Sequence, residues 1–572
     1  YRSSRGLGDV YKRQGYWRWV EIGNRGMHFV DNGMDAVFEL TYDLNENVEV
    51  VFGTQYNKFY ATDIGRYYVN YAGLDANLYN DEPFGSPAGL AALSATTLVE
   101  YTNHYEKTDL VVQIDNIADL AGGSVQALVG VESITNRYAA EYDKHSEGGL
   151  VGGSAGNSGG GNRDIDSIFG EILLPVMDNL EVTASFRRDD YSDVGEADSF
   201  KLGALYTPFD GTVVKFNTGE GFRAPTMDDL YGATTFSANT ATDYVACAAS
   251  GVSAADCSSK QISTLIKAND NLGPETSEGF TFSVEQDMGM LVDALEGLSV
   301  RFDYFEITVM DAIASISTQD VMWNEYVGGS ALSNVVNFYD ASGVGSDGSA
   351  AGAPVGTGTV GDACPAGATY YSTVGFDPAI YSTRSCANGR VDYVGAGFTN
   401  VGEIEVVGYD LFVSYMKDVG PGTMSVSVDY TSMDEYNTDS FTGSDQKTNN
   451  IGFSGTPEMR NNITVGYAWD NYSIALTRRT IGGDYYLSSD AETDASGNPT
   501  GGIVKDGDIQ DDYSDLDLQI RADLGKYGVV TYGMFNIEDN DPLPGRNANY
   551  ETYVSLYGNT GLLTYIKWNI KF

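Results

Sequence analysis

The sequence lacks any apolar run long enough to cross a bilayer as a helix, which takes about 18 residues or more. A helical membrane protein is therefore excluded. A strand-built one is not, because barrel strands need only about ten alternating residues each. Histidine is nearly absent, at 3 in 572 residues, and cysteine is scarce, at 4. No C-x-x-C occurs, which leaves no typical zinc site. His28, His104 and His145 stand in no triad context, so nothing makes a case for an enzyme. Basic residues are few, with 33 Lys and Arg against 80 Asp and Glu and a net charge of -47. Phosphate contacts need clustered Lys and Arg, so this balance argues against nucleic acid as a partner and against docking on anionic lipid through a basic patch. Acidity on this scale fits solvated loops, or a field that draws cations towards a cleft or pore.

The four cysteines fall into two local pairs, Cys247 with Cys257 and Cys364 with Cys386, both in stretches rich in Gly, Ser and Ala. An even count with local spacing predicts two loop disulfides in an oxidising compartment. Residues 1–14 hold four basic residues, contain no apolar signal core and do not begin with Met. They read as a non-native or truncation segment and are set apart from residues 15–572.

What is present is alternation. In the last stretch Phe572, Ile570, Trp568 and Ile566 fall on one face, and Lys571, Asn569, Lys567 and Tyr565 on the other. The pattern recurs along the chain. Leu180, Val182, Ala184 and Phe186 alternate with Glu181, Thr183, Ser185 and Arg187, and Met424, Val426, Val428 and Tyr430 with Ser425, Ser427 and Asp429. Hairpins are expected from 36–42 with 48–56, from 96–106 with 109–117, and from 277–286 with 298–309, while 124–132 and 137–142 read as separate segments. Asp178-Asn179, Asp210-Gly211, Asp470-Asn471 and Lys526-Tyr527 mark tight turns, whereas 231–274 and 328–397 are long excursions. Short turns at one end and long loops at the other are the layout of an outer-membrane barrel. Closing the sheet removes its edges, and lipid covers the apolar face. The expected fold is therefore all-β, a large antiparallel transmembrane barrel with roughly 18–20 strands present.

Patterns that suggest chemistry fail on context. Gly219-Glu220-Gly221-Phe222-Arg223-Ala224 fits a loose dinucleotide fingerprint, but Pro225 follows and no long helical period does. The two G-x-S-x-G matches within 152–160 lie in a glycine tract without a histidine partner. The acidic cluster Asp506, Asp508, Asp511, Asp512, Asp515 and Asp517 lacks the calcium-loop spacing and reads as a solvated loop around a strand start. No cofactor is expected.

Several segments resemble the TonB-dependent outer-membrane receptor family. Gly221-Phe222-Arg223-Ala224-Pro225, with Leu230-Tyr231 behind it, is similar to that family's G-F-R-A-P segment. Asn271-Leu272-Gly273-Pro274-Glu275 resembles its N-L-x-P-E segment, Asn400-Val401-Gly402 with Gly408-Tyr409-Asp410 its N-x-G strand entry, and Asn536 to Pro542 one of its turns. Together these cover residues 120 to 572. The resemblance implies a barrel of 22 strands in the outer membrane of a Gram-negative cell, closed by an N-terminal plug that is not recognisable in this chain. It also implies active uptake of a scarce nutrient, such as an iron-siderophore, another metal chelate, cobalamin or an oligosaccharide, powered by the TonB–ExbB–ExbD complex. The alternation ending at Phe572, with Ile570 and Trp568, looks like the signal read by the barrel assembly machinery. Tyr370, Tyr371, Tyr381 and Tyr393 are candidate ligand-loop residues, since tyrosine stacks on sugars and aromatic chelates. A passive porin and a secreted soluble β-protein are the alternatives. The sequence leaves the ligand open.

Overall fold

The computed structural model describes residues 22–74, 86–152, 157–249, 252, 257–327, 336–340, 354–358, 368–373, 381–385, 391–439, 447–452, 456–483, 485–493, 499–509, 511–541 and 561–570. Seventeen strands follow one another in an unbroken antiparallel meander. They are β1 (Gly26–Asn45), β2 (Val48–Asn70), β3 (Ser94–Ile114), β4 (Gln126–Tyr142), β5 (Gly159–Met177), β6 (Leu180–Tyr191), β7 (Gly195–Tyr206), β8 (Thr212–Arg223), β9 (Glu275–Asp287), β10 (Leu298–Ser315), β11 (Val391–Val419), β12 (Gly422–Asp439), β13 (Met459–Trp469), β14 (Tyr472–Ile481), β15 (Tyr513–Asp523), β16 (Val529–Phe535) and β17 (Leu563–Asn569). Eight further strands bring the sheet to 25 among the described residues. The 18–20 strands expected from alternation fall between these two counts.

The expected hairpin of 96–106 with 109–117 is instead the single strand β3, and 124–132 and 137–142 are both parts of β4. The polar residues Glu106, Lys107 and Thr108, and Asn136 and Arg137, look like turn chemistry in sequence. In the structure they sit in register mid-strand, with Lys107 opposite Ile134 and Asn136 opposite Arg163. A polar residue in mid-strand is tolerated when its face is wet or ion-paired, as it is here.

The connections segregate by length. At one end lie 46–47, 115–125, 178–179, 207–211, 288–297, 420–421, 470–471 and 524–528, and at the other lie the long excursions 224–274 and 316–390, with the turn 192–194 as a short exception there. The faces segregate too. Residues directly opposite one another share a face. One face carries the row Val300, Val413, Val428, Ile463 and the row Val426, Val465, Leu476, Leu518, Met534. This apolar face is open, with Ile566 75% and Trp568 61% exposed. Near the short-turn end Tyr467 stacks on Trp469 and Trp469 on Tyr472, and the Trp568 indole N–H donates to the Tyr527 carbonyl at 2.8 Å. The other face carries the row Asp109, Glu132, Ser167, Asp189.

A second core forms among the excursions. Ala241, Ile262, Ile316, Val321, Met322, Val391 and Val394 are buried together. The strand Lys260–Lys267 runs parallel to the start of β11, with Thr264 opposite Val394. A Cys247–Cys257 disulfide, Cα–Cα 5.9 Å, closes the adjoining loop. Cys364 and Cys386 lie outside the described residues. The two longest excursions thus fold against each other over a shared apolar interior.

Gly408 lies beside an irregularity in the β11–β12 register. A Cβ there would meet the backbone oxygen of Ser432 and stand 2.8 Å from Cζ of Phe305. Gly408→Val is expected to lower stability by about 1–3 kcal/mol, the usual range for overpacking. The readout is the temperature at which the folded, heat-modifiable band disappears on a gel. An unchanged temperature would show that the strand yields at no cost.

Candidate functional site

The site begins where β8 ends. Pro225 has no N–H to give a ladder, so the strand stops there. Thr226 then caps the short helix α1 (Met227–Tyr231). Its hydroxyl accepts from Asp229 N at 3.1 Å, and the Asp229 carboxylate accepts from Thr226 N at 2.8 Å, a reciprocal capping box. The Asp229 carbonyl accepts from Asn269 N at 2.8 Å, and the Asn269 amide donates to Phe398 O at 2.9 Å. Asn400 grips the next turn, accepting from Gly273 N at 2.9 Å and donating to Gly273 O at 3.0 Å and Asp311 O at 2.7 Å. Glu275 pairs with Arg223 and accepts from Ile313 N at 2.6 Å.

Three segments that stand far apart in sequence therefore meet in one knot. Gly221, Phe222, Arg223, Ala224 and Pro225 end one strand, Pro274 and Glu275 begin the next with Glu275 paired to Arg223, and Asn400 of β11 ties Gly273 to Asp311 of β10. The fourth motif works alone. Asn536, at φ 48°, accepts from Asn540 N and donates to its carbonyl, while Asn540 donates to Ser514 O. No nucleotide geometry accompanies Gly219 to Ala224, which are strand and strand end.

Next to the knot, on the charged face, a cavity of about 640 Å³ is walled by Asn136, Tyr138, Arg163, Tyr191, Phe222 and Pro225 among others. Arg163 is 6% exposed. Its Nε lies 2.9 Å from both oxygens of Asp193, and its Nη1 donates to the Pro225 carbonyl at 2.9 Å. Tyr138 donates to Asp228 at 2.9 Å, and Tyr231 to Asp193 at 3.1 Å. The glycine tract before β5 is no loose loop at its end. A Cβ at Gly159 would lie 2.6–2.7 Å from the backbone of 231–233, so only glycine lets β5 pass under α1.

Below the cavity runs a charge network. Glu132 accepts from Lys107 at 2.6 Å and from Arg187 at 2.6 Å, Arg187 also reaches Asp189 at 2.7 Å, and Ser167 donates to Asp189. Across the sheet Arg479 lies 3.0 Å from Asp515 and 2.9 Å from Asp517. These two members of the acidic cluster are therefore ion-paired wall residues rather than solvated loop.

Sequence patterning missed Arg163, Asn136, Tyr138 and Asp193, which belong to no motif. The available signal was parity: Glu132, Arg187 and Asp189 all occupy the polar phase of their strands. Tyr370 and Tyr371 lie in the strand Ala368–Thr373, Tyr381 opens the strand Tyr381–Ser385, and Tyr393 lies in β11, but their side chains are outside the described residues, as is Phe572. Ile570 is described and exposed.

β4 leads into Asp143, the N-cap of the turn Lys144–Glu147. Burial pushes its carboxyl up, but hydrogen bonds from Leu98 N, the Ser146 hydroxyl, Ser146 N and His145 N outweigh this and hold it below the usual aspartate range. A lowered folded-state value means stability that is present above the ordinary aspartate value and lost as pH falls through the lowered one. Asp143→Ala should cost about 0.5–2 kcal/mol at neutral pH, read as faster proteolysis within 144–158. The difference from the parent should shrink in acid. Glu275→Ala, which strips Arg223 and Ile313 N–H of their acceptor, should cost about 1.5–3 kcal/mol in a urea titration.

A family model for the TonB-dependent receptor-like β-barrel matches residues 1–537. No curated protein matches the sequence. Similar solved structures include the siderophore receptor PirA from Acinetobacter baumannii, at 14% identity and TM-score 0.49, covering 94% of this chain and 70% of that one. A mutant of the ferric enterobactin receptor PfeA from Pseudomonas aeruginosa gives 14% and 0.49, covering 94% and 69%. The RagAB peptide transporter gives 11% and 0.50, covering 93% and 61%. At 11% identity the likeness to the RagAB transporter is one of fold alone. The span of the family match, together with the strand ladder, shows that the chain belongs to the TonB-dependent receptor β-barrel family of the outer membrane.

Proposed function

We propose that the protein takes up a scarce nutrient across the outer membrane by active, TonB-coupled transport. The observation that carries this is the division of one continuous sheet into an open apolar face and an ion-paired polar face, with its long excursions at a single end. The apolar face fits lipid, and the charged face fits a lumen. The excursions and the cavity beside Pro225 fit a ligand-receiving mouth at the cell exterior. Energy would come from the TonB–ExbB–ExbD complex acting on a plug, and insertion from the barrel assembly machinery reading the last strand through Trp568, Ile570 and Phe572.

A strain deleted for the gene should lose growth on one scarce nutrient when iron chelates and oligosaccharides are tested in parallel. Uptake restored by the gene should stop when the proton-motive force is collapsed. Uptake that continues without it would mark a passive pore. Removal of Phe572 should reduce the amount of folded protein in the outer membrane several-fold while the folded remainder keeps its ligand affinity. Normal assembly would remove the terminal aromatic from the signal.

A further inference from the structure

Most polar atoms around the cavity beside Pro225 are satisfied, and two are not. Arg163 is more than nine-tenths buried, and its Nε and Nη1 are engaged by Asp193 and Pro225, yet its buried Nη2 has no partner. Asn136 stands directly opposite Arg163 in the β4–β5 register, and its buried Oδ1 has none either. Both residues line the cavity. An unpaired donor and an unpaired acceptor side by side cost free energy in the empty state, and each gains when a ligand supplies its complement.

The charge around them narrows the ligand. Arg163 is neutralised by Asp193, Arg187 by Glu132 and Asp189, and Arg223 by Glu275. Asp228 adds a further carboxylate to the wall, hydrogen-bonded by Tyr138. No arginine of the cavity is left with its charge uncompensated, so an anionic chelate gains no countercharge and meets carboxylates. The ligand must instead offer a neutral acceptor oxygen and a neutral donor close together. Tyr191 and Phe222 stand edge to face at 6.1 Å and both line the cavity, with the Arg163 guanidinium over the Tyr191 ring at 5.3 Å, so Phe222 is the aromatic surface left for a ligand. Aromatic faces pack on the C–H faces of sugar rings, and adjacent hydroxyls supply both a donor and an acceptor. The volume, about 640 Å³, lies within the range of small-molecule sites.

We infer that this cavity is a binding subsite for a neutral, polyhydroxylated ligand, an oligosaccharide, with one hydroxyl accepting from Arg163 Nη2 and its neighbour donating to Asn136 Oδ1. This rests on the uptake function proposed above only for its purpose, since binding is measurable without transport. The test is binding by the purified full chain in detergent to maltotriose, cellotriose and xylotriose, with a ferric tricatecholate as the anionic comparison. At least one trisaccharide should bind and the ferric tricatecholate should not. Arg163→Lys keeps the charge beside Asp193 but removes Nη2, and Asn136→Leu removes the acceptor. Each should weaken sugar binding about tenfold, with the heat-modifiable gel shift retained. If Arg163→Lys fails to fold, Asn136→Leu alone decides. The inference is overturned if no trisaccharide binds at millimolar concentration, if the folded variants bind sugar as the parent does, or if the ferric tricatecholate binds and is weakened by the same substitutions. Sugar binding without energised uptake in cells would leave the subsite standing and remove the transport proposal.

Discussion

The constraint on which the rest depends is that backbone polar groups in lipid have no water to turn to. Each N–H and C=O of a spanning segment must find its partner on a neighbouring strand. Hence the ladder is continuous from β1 to β17, and shifts of register are confined to a few places such as those beside Asp43, Gly65, Pro175 and Gly408. Once the ladder is fixed, parity decides everything about the side chains. A residue on one phase meets lipid and must be apolar, while its neighbour meets the lumen and is free to be charged. The strands tolerate Lys107, Glu132, Arg187 and Asp189 in mid-strand because those side chains find one another on the lumen phase.

This explains which parts were legible in the sequence. Strand phase was readable wherever alternation was strict, as in 180–187, which lies wholly within β6. The tight turns at 178–179 and 470–471 were readable because they need Asn or Asp, and Asp470 indeed adopts φ 49°. Segmentation failed in 96–142 because polar residues in mid-strand mimic turns, Lys107 and Asn136 on the lumen phase and Glu106, Thr108 and Arg137 on the other. Sequence pattern records polarity but not the partner that makes polarity affordable, and Lys107 has its partner Glu132 on the next strand.

The family-like motifs were legible for a related reason: their residue types are demanded by joints. Asn400 serves because an amide both accepts and donates, so it clamps Gly273 N–H and C=O together. Pro225 serves because it stops a strand, and Glu275 because a carboxylate can hold a guanidinium and a backbone N–H at once. These demands come from the backbone, so they are independent of what the protein carries.

Cargo chemistry imposes no such demand. A residue that meets a ligand has only to be polar and on the lumen phase, a condition many positions of the chain satisfy. Among the residues that line the cavity, Arg163 and Asn136 differ from the rest in one respect that no sequence pattern contains, the absence of a partner for a buried atom. Lys107, Arg187 and Arg479 spend their hydrogen-bonding capacity on the wall and stiffen it. The knot of motifs fixes Pro225, whose carbonyl holds one arm of Arg163, and Asp193 holds another. The free arm is thereby aimed by residues that touch no ligand. Specificity in this barrel then depends less on the identity of the contacting group than on the joint that leaves it unsatisfied.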